Sequence, residues 1–145
     1  MLALLLYFEA ARVFDVGGVA PNLLLIFFAV IFTGTKFGRS LTAGECAAYI
    51  VFLCAAGALL FYFWFPEILG LSCIIAVMYF LRDKAIGTPF LDMLLFLIAG
   101  TTLFYGALAM AGAGDFFPGI VLQDAAYTAL LGSIAWGVVR YTAYA

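Results

Sequence analysis

The 145-residue chain has no histidine, three cysteines and very little charge: 10% of its residues are Asp, Glu, Lys or Arg. Each scarcity removes a class of function. Without histidine, the usual ligand sets for zinc and haem are missing, and no metal or cofactor is expected. Cys46, Cys54 and Cys73 are an odd number of thiols within apolar segments, which is poor material for a disulfide framework. Six basic residues with no basic cluster offer nothing to grip a phosphate backbone, so no nucleic-acid partner is expected. Phosphate-binding glycine loops, Ser-His-Asp sets, H-E-x-x-H and C-x-x-C are all absent, which points away from an enzyme. The N-terminus lacks a basic region and an A-x-A-like processing site, so no cleavable signal peptide is expected.

What fills the chain instead is apolar. The hydrophobic fraction is 68%, against roughly half for an ordinary soluble domain. A globule of this length cannot hide that much apolar surface from water, so lipid is the expected solvent. No alternation of apolar and polar residues suggests a membrane β-barrel. The expected fold is all-α, an integral membrane bundle in one domain, 1–145.

The organising stretch is Asp15-Val-Gly-Gly-Val-Ala-Pro21-Asn22, followed by an apolar run from Leu23 to Phe32. Gly17 and Gly18 permit a sharp turn. Pro21 suits a first helical position, where its missing N–H costs nothing. Repeating this pattern along the chain predicts six short spans at 2–14, 21–35, 44–65, 68–81, 89–110 and 118–139. Lys36, Arg39, Arg82, Lys84 and Arg140 then fall on one side and Arg12 on the other. The positive-inside rule reads this as N-in/C-in.

Four sets of residues are candidates for function. Asp124, beside Gln123, is a carboxylate inside a predicted span, where it costs about 3 kcal/mol at mid-membrane. It is either a polar outer-face site or, more plainly, a helix-start carboxylate wetted by the interface and favoured by the dipole. Ala125, Ala129, Ser133 and Gly137 recur every four residues and form a small-residue stripe. Such a stripe lets another helix backbone approach closely, from a partner or, more plainly, from the same chain, with span five as the mate. Glu45 and Asp92 could pair for acid–base work, but each opens a predicted helix where a carboxylate complements the dipole. Pro21 and Asn22 mark a helix start.

The run Pro21-Asn22-Leu23-Leu24-Leu25-Ile26 resembles the opening of the second helix in the rod shape-determining protein MreD family. The tail Gln123-Asp-Ala-Ala-Tyr-Thr-Ala-Leu-Leu-Gly132, leading to a basic end, is similar too. Where that family has a glycine-rich third helix ending in an acid, this chain has an Ala- and Phe-rich one followed by Glu67. The resemblance implies a non-catalytic, multi-pass scaffold of the bacterial inner membrane in the machinery of cell shape and lateral peptidoglycan synthesis. The implied partners are an MreC-like single-span membrane protein, associated wall-synthesis proteins and the lipid bilayer. The alternative is a small-molecule-binding subunit of an energy-coupling-factor-type transporter, with the outer acids and Gln123 as its polar site. A lipid-modifying enzyme is a third reading, and the residues offer it little.

Overall fold

The computed structural model describes residues 22–35, 40–60, 65–84, 87–112 and 117–144. They form five helices: α1 (Leu23–Gly34), α2 (Ala43–Leu60), α3 (Phe65–Leu81), α4 (Pro89–Met110) and α5 (Pro118–Tyr144). The expected span at 2–14 lies outside the described residues.

Local chemistry sets the ends. Asn22 is the N-cap of α1, its side-chain oxygen accepting the Leu25 N–H at 2.9 Å. α1 therefore begins at Leu23, where the Asn22 side chain satisfies an orphan amide; Pro21, the expected start, lies outside the described residues. Thr42 and Glu45 form a capping box at α2. The Thr42 N–H and hydroxyl donate to Glu45 Oε2 at 2.8 and 2.9 Å, and the Glu45 N–H returns to Thr42 Oγ1 at 3.3 Å. Pro89 and Pro118 open α4 and α5 at the position that lacks an intrahelical acceptor. α4 closes on Gly112, whose φ of 69° is a left-handed conformation that glycine adopts without strain.

Two boundaries differ from expectation. Phe65-Pro66-Glu67 was expected to end one span and form a turn, yet it is the first turn of α3. Proline is compatible with a first turn, and Glu67 complements the dipole there. α5 continues past 139 to Tyr144, so Arg140 is inside a helix of 27 residues. The six expected crossings reduce, among the described residues, to five helices. One of them, Pro89–Met110, is long and apolar enough to cross a membrane by length and composition. α1, with 12 residues, is only about 18 Å long.

The helices run alternately up and down. Gly100 of α4 lies against Leu25 of α1, and a Cβ placed on it would come within 2.9 Å of Leu25 Cδ1. Gly132 of α5 is covered by Leu97 and Met93 of α4, and Gly34 of α1 by the Trp136 indole of α5. Helices α1, α4 and α5 thus close on one another as a three-helix unit. α3 packs on α4 and α1, and α2 packs on α3. Leu25, Ala29, Ile75, Met93 and Leu97 are fully enclosed at the centre.

Apolar side chains fill the core and also cover much of the exterior, and several polar residues are buried among them. Asn22, Thr33, Ser72, Asp92, Thr101, Asp124 and Thr128 are buried, while Phe52, Leu59, Phe80, Leu122, Leu130 and Ile134 are exposed.

Candidate functional site

The buried polar residues concentrate where the N-terminus of α1 meets α4 and α5. Tyr105 of α4 donates its hydroxyl hydrogen to Asp124 Oδ2 of α5. One turn further along α5, Thr128 Oγ1 accepts the backbone N–H of Asn22 at 3.2 Å. Asn22 in turn caps α1. Three helices are therefore joined through Asn22, Tyr105, Asp124 and Thr128. Thr101, one turn from Tyr105 on α4, is buried as well and donates to Leu97 O at 2.8 Å.

Asp124 is 4% exposed. The plainer expectation, an acid wetted at a helix start, is corrected: α5 begins at Pro118, and Asp124 lies in its second turn, facing α4. Gln123, its expected companion in a polar outer-face site, is exposed. Adjacent positions on a helix point about 100° apart, so one faces inward and the other outward.

The expected small-residue stripe runs from the core to the exterior. Ala125 is buried, Ala129 and Ser133 are half-buried, and Gly137 is exposed with open space where a Cβ would go. Ser133 spends its hydroxyl on Ala129 O at 2.7 Å. The row that meets α4 and α1 is offset by one residue: Asp124, Thr128, Gly132 and Trp136. Span five, which is α4, is the mate of this helix. Tyr105, Thr128 and Gly132 were missed by sequence reasoning. The same four-residue recurrence, started one position earlier, would have found the last two.

Glu45 and Asp92 do not act as a pair. Glu45 is exposed and engaged in its capping box. Asp92 is buried in the first turn of α4, and its Oδ1 has no hydrogen-bond donor. Cys46 is buried, Cys54 is half-buried with its Sγ 3.4 Å from Ser72 Oγ, and Cys73 is exposed; all three are free thiols. Among the described residues no three His, Cys, Asp or Glu side chains are grouped to hold a metal ion.

At the opposite end, Leu41 O accepts two hydrogen bonds, from Arg82 Nη2 at 2.9 Å and from Tyr79 Oη at 3.0 Å. Arg82 stacks over the Tyr79 ring at 4.2 Å and lies 3.4 Å from Asp83. These contacts tie the entry of α2 to the exit of α3. Chemically, the hydrogen bonds of the Asn22–Tyr105–Asp124–Thr128 cluster can lock three helices in register. With a carboxylate, a phenol and a hydroxyl at one depth, the cluster also has the donors and acceptors a small polar molecule would require.

No protein-family model, curated protein or solved structure matches this chain.

Proposed function

We propose that the chain is a multi-pass bacterial inner-membrane subunit that acts by helix packing. Its place would be as a scaffold in the cell-shape and lateral wall-synthesis machinery, beside a single-span MreC-like partner. The observation that supports the membrane placement is the apolar exterior: large apolar side chains point outward on α2 to α5, over a core that is also mainly apolar. In lipid, that arrangement matches the exterior to hydrocarbon. The assignment to wall synthesis rests on the Pro21–Ile26 resemblance. In this reading the N-in/C-in arrangement of six spans follows from the distribution of Lys and Arg, and no catalytic residue is assigned.

A second reading has a specific observation in its favour. The cluster of buried Asn22, Asp124 and Thr128 with half-buried Tyr105 is where a binding subunit of an energy-coupling-factor-type transporter would hold its ligand. Affinity purification from native membrane in mild detergent, with mass spectrometry of proteins and small molecules, separates the two. A co-purifying single-span wall-synthesis protein without a small ligand supports the scaffold. A bound vitamin-like molecule, or an ATPase module in the eluate, overturns it and assigns the cluster as the binding site.

A further inference from the structure

We draw no further inference here: the strongest candidate, the buried Asp92 carboxylate in the first turn of α4, whose Oδ1 has no hydrogen-bond donor, stands alone, since among the described residues no group of His, Cys, Asp or Glu side chains forms a metal site with it and nothing in the structure shows what it would hold.

Discussion

The three-helix unit and the α2–α3 hairpin are built from equally apolar segments, yet they are held in different ways. In the unit of α1, α4 and α5, helices touch at Gly34, Gly100 and Gly132, and hydrogen bonds run between elements from Asn22 to Thr128 and from Tyr105 to Asp124. In the hairpin, α2 finds α3 as its helix neighbour among the described residues. Its cross-links are Cys54 with Ser72 and the two donors on Leu41 O. On the proposed membrane placement, close approach and interhelical hydrogen bonds take over from the hydrophobic effect. The difference locates the specificity of this fold in the three-helix unit.

The comparison can be broken most forcefully at Gly132. A Cβ there overlaps the enclosed Leu97 side chain, so Gly132→Val is expected to destabilise by about 3 kcal/mol, read as a lowered unfolding midpoint in detergent by circular dichroism. If it unfolds like the parent, α4 and α5 are not in close contact. Next in size is Asp124→Ala, which leaves the Tyr105 hydroxyl without its acceptor and is expected to cost about 2 kcal/mol. A double-mutant cycle with Tyr105→Phe then returns a coupling of about 1 kcal/mol; zero coupling breaks the cross-link on which the contrast depends. Tyr79→Phe probes the hairpin. Leu41 O keeps its bond from Arg82, so the loss is expected to stay near 0.5 kcal/mol. A loss as large as that of Asp124→Ala would erase the distinction between the two regions. The smallest effect is expected at Gly137, where a Cβ meets open space. Gly137→Ala is expected to stabilise α5 by up to about 0.5 kcal/mol through helix propensity, measured in the same unfolding assay. A loss there would restore the Ala125–Gly137 stripe as a packing seam.

Some of this was legible along the chain. The apolar runs marked where helices lie, and Pro89 and Pro118 marked two starts to the residue. The start of α1 was read two positions early, at Pro21, while the helix begins at Leu23 behind the Asn22 cap. The site was legible in part. Asp124 stood out as an acid in an apolar helix, but its partner Tyr105 lies 19 positions away and carries no local signal.

The sequence by itself determined that this is a helical protein rich in apolar side chains, and that its charges are few and segregated. Which face of each helix points inward was decided by tertiary structure. Apolar side chains are spread around the whole circumference of these helices, so no stripe distinguishes core from exterior. The rotation of α5 that buries Asp124, Thr128 and Gly132 and exposes Gln123 and Gly137 comes from steric fit against Leu97 and Met93 and from the hydrogen bonds to Tyr105 and Asn22. Those partners are distant in sequence, and hydropathy carries no record of them.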